Sequence, residues 1–324
     1  MWGLTSIFPP APSWNVEQVP DQTGRIAIVT GGNSGIGLET VRELLRKNAK
    51  VYLACRSEER AHKAMDELQR NQLPGKIEFL RLDLASLHSI KEFSEQFLAK
   101  EQRLDMLFNS AGVMNPYVGP ETKDGYELHL GTNSLGHHYL TQLLVPALQV
   151  SAKASPDRPP RVCFTSSIAH RATSPKGFDP TDPTGLHTYC YMPAHNRAYG
   201  TSKFCNILSA NWFQRNLGAQ NIVFTSCHPG ILKTGLVREW NQGFNTIMMP
   251  IIEAAIFYPQ RMGCITQLYL NTAPEAATKG GSYFAPWARQ VDPLPLARDV
   301  GVQDTFAKWV DEQVTKHMGQ PVDL

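Results

Sequence analysis

Tyr199-Gly-Thr-Ser-Lys203 sets a phenol and an amine four residues apart, so both leave one face if the segment is helical. A free phenol has a pKa of about 10, too high for easy proton exchange at neutral pH, and an ammonium beside it stabilises the phenolate and lowers that value. The pair could therefore hand a proton to a carbonyl. Hydride arriving at a carbonyl carbon puts negative charge on its oxygen, so the site needs a second donor aimed there. Ser167, ending an apolar run, is the candidate; Thr165 and Ser166 offer the same chemistry, and strand alternation alone does not choose among them. Asn133, on the long helix after the fourth strand, is placed to anchor a water linking Lys203 to solvent. An isolated YxxxK is common on helix surfaces as a solvated ring and an exposed charge, so the motif acquires meaning only from its partners.

The first partner is Thr30-Gly31-Gly32-Asn33-Ser34-Gly35-Ile36-Gly37, which directly follows the apolar stretch Arg25–Val29. Glycines at 31, 35 and 37 let the backbone turn sharply and approach a pyrophosphate, whose charge a helix N-terminus favours. The GxxxGxG spacing differs from GxGxxG and allows a wider turn. At the end of the second strand a carboxylate would accept from ribose hydroxyls, whereas a cation would meet a 2′-phosphate. The chain reads Ala54-Cys55-Arg56-Ser57 there, so the Arg56 fork and the Ser57 hydroxyl point to NADP(H). Glu58 or Glu59 reaching a ribose would give NAD(H) instead. Asp83, followed by Leu84, stands where a carboxylate accepts from the adenine amino group. The small residues of Asn109-Ser110-Ala111-Gly112 let the nicotinamide-side ribose pass close to the backbone.

Positioning these groups requires alternating strands and helices. Strands are expected at Arg25–Val29, Lys50–Ala54, Ile77–Arg81, Leu104–Phe108, Arg161–Thr165, Ile222–Ser226 and Ser282–Ala285, and helices at Ile36–Lys47, Ser57–Gln69, Ser86–Lys100, Tyr126–Gln149, Ala198–Leu217 and Pro250–Leu270. That rhythm predicts an α/β fold: a single Rossmann-type doubly wound domain over 24–324, with a seven-stranded parallel sheet flanked by helices. Residues 1–23, rich in proline, form an extended arm on this reading. Residues 168–196, with Pro175, Pro180, Pro183, Pro193, Phe178, Tyr189 and Tyr191, form an ordered insertion. Residues 230–260 supply a substrate loop and helix, in which Leu236, Val237, Trp240, Phe244, Ile247 and Met248 make an apolar wall.

The motif set TGGNSGIG, Asp83, NSAG, Asn133, Ser167, YGTSK and Cys-His228-Pro229-Gly230-Ile231 with Thr234 resembles the short-chain dehydrogenase/reductase family, in its single-domain branch, over residues 24–290. The resemblance implies Tyr199 as proton donor or acceptor, Lys203 lowering its pKa, Ser167 orienting substrate and Asn133 completing a relay. It also implies that Ile36, Asp83, Asn109, Ile231 and Thr234 line the cofactor, the last two beside the nicotinamide carboxamide, with Pro229 next to them. The details resemble the branch of retinol dehydrogenases, carbonyl reductases and many fungal reductases of specialised metabolism; the arm FPPAP…VPDQTGR, the strand ending CRS and the late GGSYFAPWAR look particularly like the fungal members. Two departures stand out: Ser110 replaces a second asparagine, and the glycine turn lacks the extra cation of many NADP-preferring members. The interval of 32 positions from Ser167 to Tyr199 exceeds that of the compact members. In related carbonyl reductases such an insertion blocks tetramer assembly, which implies a monomer or homodimer.

Composition bounds the function. A chain of 324 residues, 42% hydrophobic and 19% charged with a formal charge of +2, is globular material with no basic tract to neutralise nucleic-acid phosphates. The six cysteines form no CxxC pair and no disulfide framework; Cys55, Cys163 and Cys227 sit in strand-like runs where a thiol acts as a small hydrophobe, which points to a reducing compartment. The histidines offer no HxxxH pair, so no metal is expected. Ile247–Tyr258 is interrupted by Pro250 and Glu253 and is shorter than the ~20 residues a membrane-spanning helix needs. With no secretory leader pattern either, a cytoplasmic protein is expected. The function expected is an NADP(H)-dependent oxidoreductase that interconverts a lipophilic alcohol with its aldehyde or ketone, in a setting such as specialised metabolism. A non-catalytic redox sensor or scaffold is the alternative, and the intact Ser, Tyr and Lys set argues against it. A sugar-nucleotide epimerase would carry a differently spaced glycine turn and a larger C-terminal domain.

Overall fold

The computed structural model describes residues 5, 8–114, 119–187, 194–232 and 258–322. Among these residues, runs of β-branched and aliphatic residues bounded by glycine, proline or charge give eight strands in one sheet: β1 (Ile26–Thr30), β2 (Lys50–Cys55), β3 (Lys76–Arg81), β4 (Met106–Asn109), β5 (Arg161–Thr165), β6 (Val223–Cys227), β7 (Tyr283–Ala285) and β8 (Arg289–Val291). Their order is β3-β2-β1-β4-β5-β6-β7-β8. Every pairing is parallel except β7 with β8. Continuously buried strands such as β1, β5 and β6 are what a sheet covered on both faces demands.

The expected seven parallel strands are thus corrected to eight, the last antiparallel. β8 has three residues, none of them buried, so it carries no run of apolar side chains; it follows β7 through a tight turn in which Ala288 has a positive φ.

The helices are α1 (Gly35–Arg46), α2 (Glu58–Arg70), α3 (Leu87–Lys100), α4 (Gly136–Ala154), α5 (Ala194–Leu217), α6 (Gln260–Thr272) and α7 (Val300–Met318). On one face α1 and α6 pack over Val29, Val51, Met106 and Phe108, with Trp14 of the N-terminal segment buried edge-on against Tyr269. On the other, α3, α4, α5 and α7 enclose a core that includes Phe93, Phe97, Phe164, Phe213, Phe306 and Trp309. Phe178 from the expected insertion meets Phe306 and Trp309 of α7 at 5.0 and 5.4 Å between ring centres. Before α4 the helix is widened into a π segment, Leu130–Leu135. The expected helix at Pro250–Leu270 is observed as α6 from Gln260; residues 250–257, Tyr189 and Tyr191, and the whole apolar wall from Leu236 to Met248 lie outside the described residues.

Because β2 and β4 flank β1, the chain leaves β1 and β4 in opposite directions, and a crevice opens beyond their carboxyl ends. The glycine turn and residues 109–112 both emerge there.

Candidate active site

The glycine turn has the geometry of an anion cradle. Gly31 and Gly35 take φ of +68° and +54°, which side chains rarely adopt, and a Cβ at Gly37 would stand 2.4 Å from the Gly31 carbonyl oxygen. Among the described residues, nothing lies within 4 Å of where a Cβ on Gly35 would be. Ser34 precedes α1 in extended conformation without capping it by its side chain, and no acidic residue occupies the first turn, so the α1 amides point outward with their dipole uncompensated. Asn33 is half-buried and Ser34 exposed at the same rim, while Ile36 packs toward α6 at Gly263. A dinucleotide pyrophosphate fits these features.

At the far end of the crevice Arg56 is exposed just beyond β2, and Ser57 caps α2 by accepting from the Arg60 amide at 3.3 Å. Asp83 is buried and already engaged: it accepts from the Ala85 amide at 3.1 Å and pairs with Lys123 Nζ at 3.0 Å. Leu84 is buried beside it. Asn109 is not brought to the crevice by its side chain, which donates to Thr141 Oγ1 at 2.9 Å inside α4. Ala111 forms the wall against Gly31, whose Cβ would meet the Ala111 Cα at 3.1 Å. Thr30 Oγ1 accepts from the Ser110 and Ala111 amides, each at 2.9 Å. His137 settles its own tautomer. Its Nδ1 lies 2.9 Å from the Asn133 carbonyl and must donate, leaving Nε2 to accept from Thr30 at 2.9 Å. Burial pushes this imidazole down to about 3, which keeps it neutral.

The proton-transfer residues converge at the end of β5. The Thr165 hydroxyl points to Gln267 at 3.1 Å and that of Ser166 to the Lys203 carbonyl at 2.6 Å, both buried. Ser167 is partly exposed, accepts from the Ala169 amide at 3.2 Å, and is the one of the three hydroxyls placed to act on the Tyr199 phenol. Lys203 is buried, donates to the Thr165 carbonyl at 3.0 Å and stands 5.7 Å from the Tyr199 ring centre. Burial lowers its amine to about 8. Burial also pushes the Tyr199 phenol up to about 12, opposed by the Ser167 hydroxyl. The expected lowering of the phenol by Lys203 is not what this geometry gives, because desolvation of the phenolate dominates.

Asn133 is a clamp more than a water anchor. Its Oδ1 accepts from the Val113 amide at 2.8 Å, and its Nδ2 donates at 3.0 Å both to the Val113 carbonyl and to Ser202 Oγ. Ser202 Oγ in turn donates to the Tyr199 carbonyl at 2.7 Å. A Cβ on Gly112 would lie 3.2 Å from Lys203 Nζ and 3.3 Å from Asn133 Oδ1, so both groups close on that glycine. Pro229 is buried, and Ile231 accepts at its carbonyl from the Tyr258 amide at 2.9 Å; Thr234 lies outside the described residues. The sequence reading missed His129, whose ring packs against Tyr199.

A family model for short chain dehydrogenases matches residues 25–177. A short-chain dehydrogenase/reductase of Armillaria gallica is 40% identical over 319 residues, which is 97% of this chain and 98% of that one. The chain belongs to the short-chain dehydrogenase/reductase family. Mouse retinol dehydrogenase 12 is 34% identical over 273 residues, 84% of this chain and 80% of its own. A crystal structure from Mycobacterium paratuberculosis superposes with a TM-score of 0.69 at 27% identity, covering 97% of this chain and all of that one. Like the family, the chain is an oxidoreductase built to use a nicotinamide dinucleotide. Among the described residues, no helix is long and apolar enough to cross a membrane.

Proposed function

We propose that this protein is an NADP(H)-dependent reductase that interconverts a lipophilic aldehyde or ketone with its alcohol. The observation that carries this reading is Lys203 buried 5.7 Å from the Tyr199 ring centre at the end of β5, where the partly exposed Ser167 acts on the same phenol. When bound, NADPH supplies the hydride. Ser167 and Tyr199 then present two hydroxyl donors to one carbonyl oxygen, where negative charge develops. The phenol carries its proton at neutral pH, so it can donate once negative charge develops on the carbonyl oxygen. Lys203 holds positive charge near the phenol, and Asn133 fixes the Tyr199 backbone through Ser202.

The cofactor side of the proposal puts the pyrophosphate at the N-terminus of α1 and the 2′-phosphate on Arg56, whose exposed fork stands where β2 ends. Likeness to retinol dehydrogenase 12 supports a lipophilic substrate, as do the apolar residues from Leu236 to Met248. α7 packs on α5 and to a lesser extent on α4, which supports a monomer or homodimer.

The test follows absorbance at 340 nm with NADPH and a panel of apolar aldehydes and ketones. The parent protein is expected to turn over, and Tyr199→Phe to lose at least about a hundredfold in kcat. Unimpaired turnover by Tyr199→Phe removes the phenol from the reaction. A parent protein that binds NADPH yet reduces no carbonyl is instead a sensor or scaffold.

A further inference from the structure

Tyr199 is held from two sides, and the second side lies outside the family motif. His129 is fully buried and its ring meets that of Tyr199 at 75° with 5.8 Å between centres, an edge-to-face contact. The imidazole is itself oriented by a carboxylate: Glu127 Oε1 lies 2.5 Å from His129 Nδ1. The other oxygen of Glu127 accepts from the Leu130 amide at 2.8 Å, at the start of the π segment. Both residues of the pair are withdrawn from solvent, with side chains 1% and 10% exposed. A buried carboxylate is costly unless its lone pairs are occupied. Here one oxygen secures the helix start and the other fixes the plane of a ring that touches the phenol.

Topology makes the arrangement effective. His129 stands one turn before Asn133, and Asn133 reaches the Tyr199 carbonyl through Ser202. Thus one element, the π segment with its lead-in, holds the tyrosine's backbone at one end and its ring at the other. A phenol that must deliver a proton to a carbonyl oxygen loses rate steeply when it is displaced, because the reacting atoms need near-attack distances.

We propose that Glu127 and His129 are a positioning pair for Tyr199, holding the phenol in its reactive orientation without touching substrate or cofactor. The proposal rests on the reductase reading above. Its test uses the full chain, NADPH and whichever carbonyl of the panel is turned over best. His129→Ala is expected to lower kcat by about ten- to a hundredfold while KM for the carbonyl and Kd for NADPH, read by nucleotide fluorescence, stay within about twofold. The double substitution His129→Phe with Glu127→Gln keeps a ring edge against Tyr199 and an acceptor for the Leu130 amide, and leaves no unpaired charge buried. It is expected to recover most of the lost kcat.

Unchanged kcat in His129→Ala overturns the proposal, as does a loss that the ring-restoring double variant fails to recover. Should His129→Ala not fold, Glu127→Gln alone carries the test, with an expected fall in kcat of about three- to tenfold at constant NADPH affinity; unaltered kcat there is equally fatal. The Tyr199→Phe control separates the two levels. If that variant retains full activity, the reductase mechanism has failed; if it is inactive while His129→Ala is fully active, only the positioning pair has.

Discussion

Replacing Lys203 by methionine should make the cofactor-free protein more stable while abolishing its activity. The Lys203 amine is buried, with 4% of the residue exposed, and burial lowers it from the usual 10.5 to about 8. At about 1.4 kcal/mol per pH unit, holding the ammonium inside the fold at neutral pH costs roughly 3 kcal/mol. Methionine carries no charge and has a stem of similar length, so this cost disappears. What is lost is the hydrogen bond to the Thr165 carbonyl, but Asn206 Nδ2 also donates to that oxygen at 3.0 Å, so it is not left bare. Subtracting roughly 1–2 kcal/mol for the lost bond leaves a net gain of about 1–2 kcal/mol, or a few degrees in Tm.

The sign changes predictably with pH. Between about pH 8 and 10.5 the unfolded chain binds a proton at Lys203 that the folded chain does not, so stability of the parent rises with pH across this window. The variant's advantage is therefore full below about pH 8 and fades toward 10.5. Scanning calorimetry of both proteins at several pH values, with carbonyl reduction measured alongside, checks this. A variant less stable than the parent at pH 7, with a pH dependence indistinguishable from it, refutes the idea that this ammonium is held against its solvation.

Other expectations follow from the same site. Arg56→Asp should shift the ratio of kcat/KM for NADPH over NADH by roughly ten- to a hundredfold toward NADH, the worth of a charge-assisted contact to phosphate; an unchanged ratio discards Arg56 as the selector. The reduction rate should be flat at neutral pH and fall above about pH 8 as Lys203 loses its proton; a profile still flat at pH 9 removes that charge from the reaction. Gly37→Ala drives a Cβ to within 2.4 Å of the Gly31 carbonyl oxygen, so it should cost about 1–3 kcal/mol and weaken NADPH binding. Identical melting and nucleotide affinity would show that the turn relaxes freely.

The fold was largely legible because a parallel sheet covered on both faces keeps its inner strands buried and mostly apolar. Arg161–Thr165 agrees with the expected β5 at both ends, and the other shared strands shift by one or two residues. What escaped lacked that signature. β8 is three residues with none buried, fixed only by its pairing with β7. α7 did carry a signal, since Asp299 caps it and Phe306, Val310 and Val314 recur at helical spacing, but it bears no chemistry and follows the last recognised strand. The π segment has no local sequence mark. Just after it, Gly136 is packed so closely that a Cβ would lie 2.6 Å from the Leu84 carbonyl oxygen.

For the site, residue types were readable and directions were not. Three consecutive hydroxyls at the end of β5 are equivalent in sequence, yet the alternation of the strand sends Ser166 to the Lys203 carbonyl and leaves Ser167 for the phenol. Asn109 belongs to a motif expected to line the cofactor, but its amide is turned into α4. The same limit governs acidity. A lysine four residues from a tyrosine suggests a lowered phenol pKa, because sequence spacing reports proximity and is blind to solvent. In the folded chain both groups lose water, which disfavours the phenolate and the ammonium alike, and the phenol moves up while the amine moves down. A site so arranged keeps its transferable proton on the tyrosine until negative charge develops next to it, which the YxxxK spacing alone does not reveal.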